Sequence, residues 1–323
     1  MSVSASAPGK LILMGEHAVV YGEPGLVLPL PGLRAHVRLT AAPSPRLEAP
    51  DLDLITELST GIQALAEAEH LHPLEQTLLK AQRHLHTRYG VPQALPRVCF
   101  HVSSEIPVKR GMGSGTAISC ACLRALAAYY EIPRLKADDV EAFAQEMDTL
   151  YHGRPSGIDA AVIAHERPLR FQRSPSGAPV VRFLDLPPLS LLIADTGPAR
   201  PTVEVVQQVA SSYARDPRTA AVIAQIGQWV LQAEDAWRHQ RIDLLGPLLF
   251  LNHEALQRLA VSTPALDALV LQARQLGVPG AKLSGAGQGG VCFALLTPGR
   301  EQEQTQALRQ RWAPHCLKLY ASA

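Results

Sequence analysis

The stretch Ser103-Ser104-Glu105-Ile106-Pro107-Val108-Lys109-Arg110-Gly111-Met112-Gly113-Ser114-Gly115-Thr116-Ala117 decides how the chain is read. An apolar run, Val98-Cys99-Phe100-His101-Val102, leads into it, and Ile118, Cys122, Ala125 and Tyr129 follow at helical spacing. The pattern predicts strand, glycine loop, helix. Three glycines at alternate positions remove side chains that would block a bulky anion. Ser114 and Thr116 supply hydroxyls, and a helix start offers unpaired N–H groups at a positive dipole end. A tight connection with an N-cap would account for Gly and Ser, but not for Lys109 and Arg110, the cations that phosphate binding wants. The expected ligand is therefore a phosphate. Two familiar nucleotide loops are excluded: G-x-x-x-x-G-K-[ST] occurs nowhere, and a dinucleotide loop needs a third glycine where Thr116 stands.

The 323 residues admit one large or two ordinary domains, and 47% hydrophobic with 18% charged residues is enough for a sizeable core. A net charge of +1 argues against a nucleic acid or an anionic membrane as main partner and for a small ligand. Cys99, Cys120, Cys122, Cys292 and Cys316 lack metal-type pairing and read as small buried hydrophobes in a reducing compartment. No apolar run approaches the ~20 residues of a membrane helix, and no secretory leader opens the chain. A cytoplasmic protein is expected.

Outward from the loop, Ala7-Pro8-Gly9-Lys10 to Gly22-Glu23-Pro24 alternates apolar runs with Gly and Pro. It suggests two strands around a turn that holds Lys10, Glu16 and His17 near one another. Residues 33–39 are expected as a strand, the Pro-rich 43–50 as a surface loop and 74–89 as an amphipathic helix. Asp138-Asp139 caps a helix whose apolar stripe is Val140, Phe143, Ala144, Met147 and Leu150, and His152-Gly153-Arg154-Pro155-Ser156-Gly157-Ile158-Asp159 breaks it. On local grounds Asp159 reads equally as a turn cap. After an expected linker at 174–179, residues 189–194 form a strand ending in Asp195-Thr196-Gly197, and Pro201-Thr202 opens a helix. Residues 218–275 are mostly helical by period, and His253 within them is expected to be structural. In 280–295, Gly285, Gly287 and Gly290 match G-x-G-x-x-G by count, but an apolar strand follows where a dinucleotide site needs a helix.

Four of these stretches together resemble one family. Pro107 to Thr116 is similar to the P-x-x-x-G-L-G-S-S-A loop of the GHMP kinases. Ala7 to Gly22 resembles the mevalonate kinase opening A-P-G-K-x-x-L-x-G-E-H-A-V-V-Y-G, and His152 to Asp159 resembles H-G-x-P-S-G-[IV]-D. Lys282 to Cys292 is close to K-[LT]-[ST]-G-A-G-G-G-G-C. The resemblance implies an α+β, two-domain fold: an N-terminal domain with a left-handed β-α-β unit, taken as 1–180, and a ferredoxin-like C-terminal domain, 181–323. It implies ATP and Mg2+ as cofactors and mevalonate, phosphorylated at its primary hydroxyl, as substrate. Phosphomevalonate kinase, mevalonate 3-kinase and a non-catalytic nucleotide-binding protein are the alternatives. A homodimer is implied.

The same resemblance assigns residues. Asp159 and Lys10 are expected to be catalytic. Pro107, Lys109, Arg110, Gly111, Met112, Gly113, Ser114, Gly115 and Thr116 would bind ATP, and Ser114 and Asp148 would hold the metal. Glu16, His17, Thr202, Ser284, Gly285 and Ala286 would contact the substrate, with Arg200 a lesser candidate. Four departures stand out: Met112 for Leu, Gly115 for the second serine, Asp148 for a glutamate and Gln288 for a glycine. Either Ser114 or Thr116 could take over the missing serine oxygen.

Overall fold

The computed structural model describes residues 2–58, 61, 70–133, 135–152, 156–174, 179–197, 199–316 and 318–322. Two compact units interleave along the chain. The first comprises Met1–Gly9, Leu33–Lys109 and Gly113–Glu166, the second Lys10–Gly32, Arg110–Met112 and Arg167–Ala323.

The opening two strands are β1 (Ser2–Met14) and β2 (Gly25–Ala41), which pair with each other. In β2, buried Leu33, Ala35, Val37 and Leu39 alternate with half-buried or exposed Arg34, His36, Arg38 and Thr40, the period of a strand with one covered face. The expected loop at 43–50 instead contains β3 (Arg46–Ala49), followed by a 3-10 turn and β4 (Leu54–Glu57). Four residues between prolines carry no periodic signal of their own. Pairing makes this strand: β3 lies parallel to β5 (Val98–Ser104), with Leu47 beside Phe100, and antiparallel to β4.

Helices cover the apolar face of the first unit. α1 (Pro73–Tyr89) begins with Pro73 at its first position, His72 accepting from the Leu74 N–H, and Glu75 closing a capping box; Gly90 ends it. α2 (Ser114–Tyr129) buries ten of its 16 residues, among them Thr116, Ala117, Cys120, Cys122 and Leu126. α3 (Ala137–His152) buries Val140, Phe143, Ala144 and Met147 of its expected stripe, the Leu150 side chain lying outside the described set, and α4 (Ile158–His165) packs on both α2 and α3.

In the second unit, Gly25–Val27 of β2 pair antiparallel with β6 (Leu169–Arg173), which pairs with β7 (Pro179–Phe183). The segment expected as a linker therefore joins two partnered strands, Arg173 standing opposite Pro179; its residues 175–178 lie outside the described set. Ser, Pro and Gly mark a hairpin connection as readily as a linker. A four-stranded antiparallel sheet follows, in the order β11 (Lys318–Ser322), β8 (Leu191–Asp195), β10 (Val291–Leu295), β9 (Gly280–Ser284). All five residues of β8, β9 and β10 are buried.

Helices α5 (Thr202–Arg215), α6 (Pro217–Arg238), α7 (Ile242–Arg258) and α8 (Pro264–Gln275) complete this unit with α9 (Glu301–Trp312). Two glycines let α7 lie against β9. A Cβ on Gly246 would come within 2.2 Å of the Pro279 carbonyl, and one on Gly280 within 2.5 Å of the Gly246 carbonyl. Trp237 and Trp312 anchor the interior, donating to the carbonyls of Pro187 at 2.7 Å and Leu269 at 3.1 Å. The mixture of helices with mainly antiparallel sheets is the α+β class expected. Among the described residues no helix is long and apolar enough to cross a membrane.

Candidate active site

The glycine loop has the form expected, running from β5 into α2. Gly113 is the N-cap of α2 at φ +74°, a left-handed conformation that admits glycine readily, and it has no side chain to cap the helix. The helix's hydrogen-bond ladder opens with the Ala117 N–H donating to the Gly113 carbonyl at 2.9 Å. The amides of Ser114, Gly115 and Thr116 are thus the helix's unpartnered N-terminal donors by construction. A Cβ built on Gly111 or Gly115 would meet nothing within 4 Å. The absence of side chains at Gly113 and Gly115 keeps these amides uncovered by their own loop, which suits the phosphates of ATP.

Behind the loop, Thr116 Oγ1 donates to Asp148 Oδ1 at 2.7 Å, and each residue is only 2% exposed. The packing of α2 on α3 makes this contact. It commits the Thr116 hydroxyl to Asp148 and leaves Ser114, half-buried beside it, as the loop hydroxyl for a cation. Hard oxygen donors of this kind suit Mg2+. Asp159 lies in the first turn of α4, after the N-cap Gly157 at φ +80°, where the helix dipole favours a carboxylate. Gly153, Arg154 and Pro155 of its motif lie outside the described residues.

The second unit brings together most of the expected substrate residues. Lys282 Nζ binds Glu16 Oε1 and the Leu283 carbonyl, the latter at 2.6 Å, with both side chains buried. Glu16 Oε2 is buried and has no hydrogen-bond partner among the described residues. His17 Nε2 donates to the Ala286 carbonyl at 2.9 Å, and Ser284 Oγ donates to the Ile12 carbonyl at 2.9 Å. Burial, the largest influence, pushes the Glu16 carboxyl up and the Lys282 ammonium down, while attraction between the two opposes both shifts. Burial also lowers His17, favouring the neutral ring. Lys10, in β1 and 5% exposed, donates its backbone N–H to the Met112 carbonyl at 3.0 Å, fastening the strand to the glycine loop.

Arg110 does not point its Nε at a ligand. That nitrogen bonds both oxygens of buried Asp195, at 2.8 and 2.9 Å. Lys109 is exposed, Thr202 is the exposed first residue of α5, and Arg200 is engaged by Glu204 and Gln208, each at 3.2 Å. Sequence reasoning left Lys282, Asp195 and Thr196 without a role. A lysine in an otherwise apolar strand is itself a signal, because it needs a buried acid. Thr196 Oγ1 donates to the Gly290 carbonyl at 2.8 Å and tethers the last glycine loop to β8. Gln288 adopts φ +57° in that loop, held by its N–H to Val261 and its Nε2 to Ala260, both at 2.7 Å.

Two family models match the chain: the GHMP kinases N terminal domain over residues 76–167 and the GHMP kinases C terminal model over 233–314. Among whole proteins, a mevalonate kinase of Pyrococcus horikoshii is 32% identical, the match covering 95% of this chain and 92% of that protein. Among solved structures, the mevalonate kinase of Methanococcus jannaschii superposes with a TM-score of 0.80 at 23% identity, covering 99% of this chain and 97% of the other. The L. major mevalonate kinase in complex with R-mevalonate gives 0.79 at 22% identity, covering 99% and 95%.

Proposed function

The chain belongs to the GHMP kinases, and on that footing we propose that it transfers the γ-phosphoryl group of ATP to the primary hydroxyl of mevalonate, giving 5-phosphomevalonate. ATP use follows from the kinase family. The observation that carries the reading is the start of α2, where the N-cap Gly113 has no side chain, a Cβ on Gly115 would meet nothing within 4 Å, and Thr116 holds a buried carboxylate one hydrogen bond away. Phosphoryl transfer asks mostly for positioning and charge neutralisation, and this is the equipment for both.

In this reading the residues of 107–116 bind the ATP phosphates, with Lys109 the exposed cation and Arg110 fixing the loop through Asp195. Ser114 and Asp148 are the proposed holders of Mg2+, which when bound neutralises charge on the phosphate oxygens. Asp159 accepts or orients the proton of the substrate hydroxyl, and Lys10 stabilises the charge that develops. Glu16, His17, Thr202, Ser284, Gly285 and Ala286 are the proposed acceptor-binding residues. Neutral His17, with Nε2 on Ala286, has Nδ1 left to accept from a hydroxyl. A phosphomevalonate acceptor would need further cations, and Arg200 is engaged with Glu204 and Gln208. A cytoplasmic homodimer completes the proposal, the dimer to be tested by light scattering on the eluted protein.

The deciding experiment is ADP release with Mg-ATP against mevalonate, phosphomevalonate, galactose and homoserine, with phosphorus NMR of the product. Mevalonate-dependent turnover with phosphate on the primary oxygen is expected. Turnover with another acceptor, or phosphate on the tertiary oxygen, would overturn the substrate assignment.

A further inference from the structure

The first unit carries a second constellation that phosphoryl transfer does not use. Along β5, Phe100 and Val102 are buried in the core, so Cys99, His101 and Ser103 share the opposite face. On one side of β5, parallel β3 sets Glu48 opposite His101; on the other, antiparallel β2 sets Thr40 opposite Cys99. Cross-strand partners lie on the same face of a sheet. As a result Glu48, Cys99 and His101 offer a carboxylate oxygen, a thiol sulfur and an imidazole nitrogen that all lie within 4.8 Å of one another.

We propose that Glu48, Cys99 and His101 form a binding site for a zinc-class divalent ion, with a fourth coordination position open to water. Thiol with imidazole and carboxylate is a donor set that suits Zn2+ and disfavours Mg2+, which takes oxygen ligands. Around a tetrahedral zinc, ligand atoms at bond lengths of ~2.0–2.3 Å stand roughly 3.3–3.7 Å apart, so the three atoms need only a short inward rotation. His101 Nδ1 is already 3.1 Å from Glu48 Oε2.

The second ring nitrogen is also provided for. Thr40 Oγ1 lies 2.9 Å from His101 Nε2, and a ligating histidine characteristically donates its other N–H to such an oxygen. On metal binding the Cys99 thiol gives up its proton, and a ring proton shared with Glu48 moves to Nε2, where Thr40 accepts it. Two cations stand nearby: exposed Arg38, opposite His101 on β2, and Arg46, which is the one that engages Glu48. Its Nε sits 3.3 Å from Glu48 Oε1, the oxygen that the site does not need, and its side chain is 44% exposed and able to turn toward water. His101 also lines a cleft with Ser4, His36, Arg38, Pro50 and Ser103, while Glu48 is half-buried and Cys99 buried.

The test uses the full chain stripped by chelator. Zn2+ is titrated in competition with a chromophoric chelator, and Co2+ is added separately as a spectroscopic stand-in. One Zn2+ per chain is expected, and Co2+ should give a thiolate-to-metal charge-transfer band with the intense visible bands of four-coordination. Cys99→Ala should abolish the charge-transfer band. Both Cys99→Ala and His101→Ala should weaken Zn2+ binding by about 100-fold or more, and Thr40→Val by about 10-fold. Cys316→Ala, altering the most exposed of the five cysteines, should change nothing. Circular dichroism of each metal-free variant checks folding. If Cys99→Ala does not fold, His101→Ala and the wild-type Co2+ spectrum decide. Absence of the band in wild type, its persistence in Cys99→Ala, or unchanged Zn2+ affinity in His101→Ala would each overturn the site. None of these readouts involves turnover, so the result is independent of the acceptor assignment.

Discussion

An ammonium group inside a strand whose five residues are all buried carries a desolvation cost of several kcal/mol, and at Lys282 the oxygen that offsets it belongs to Glu16. Breaking such a pair costs more than replacing it. Lys282→Met should lower unfolding free energy by about 3–5 kcal/mol in guanidinium titrations, and Glu16→Gln/Lys282→Met should lie closer to wild type. A single-variant cost below about 1 kcal/mol would falsify the pairing argument. The proposed reacting residues behave differently, because they act on rate. Asp159→Asn and Lys10→Met should cut kcat by about 10²–10⁴ while calorimetric ATP affinity stays near wild type. Wild-type turnover in Asp159→Asn would remove that carboxylate from the chemistry. The residue scale was also the most legible one. Glu16, His17, Ser284 and Ala286 stand in short motifs whose Gly and His placement is locally distinctive, and they share one cluster. Lys282 passed unassigned because its meaning depends on a carboxylate 266 positions away in the chain.

Between elements, His253 links α7 to β9 and α8, and it does so only as a neutral ring. Its Nε2 donates to Asp267 Oδ1 at 3.1 Å, and its Nδ1 accepts from the Leu283 N–H at 3.4 Å, so a proton on Nδ1 would break the bond to the strand. Burial is the largest influence and lowers the imidazole to about 4, against the pull of Asp267. In the unfolded chain the ring titrates near ~6.5. Between those values the unfolded chain binds a proton that the native chain refuses, so stability rises with pH through the window. It is complete above about 6.5 and lost by about 4, with a span of at most about 3 kcal/mol. Urea midpoints from pH 7.5 down to 5 should therefore fall more steeply in wild type than in His253→Gln. Equal slopes would mean that His253 is not the titrating group. The same dependence on distant partners explains which elements were legible. α1, α2 and α3 announce themselves by period, whereas β3 is a strand only because β4 and β5 flank it, and β11 only because it pairs with β8.

At the scale of the molecule, three of the five borders between the two compact units fall at residues 109–110, 112–113 and 166–167, and the other two at 9–10 and 32–33, within β1 and β2. Nothing local in the sequence marks such a border, since a strand's pattern continues through it. The consequence is mechanical: neither unit can unfold without breaking strands that also carry residues of the other, so the chain should unfold in one cooperative step. Its cysteines can report this. Cys120 and Cys122 lie in α2 of the first unit and Cys292 in β10 of the second, all fully buried, with burial raising Cys120 to about 12 and pushing the other two up as well. A thiol reagent attacks the thiolate, so these three react only when their unit opens. We expect Cys316 to label first, and Cys120, Cys122 and Cys292 to label later at rates with the same denaturant dependence. Mg-ATP should slow all three by a common factor, about 100-fold at 100 times its dissociation constant, because a ligand that binds only the folded chain suppresses every opening that destroys its site. Slowing confined to Cys120 and Cys122 would mean that the first unit opens by itself, and that continuity of β1 and β2 does not couple the halves.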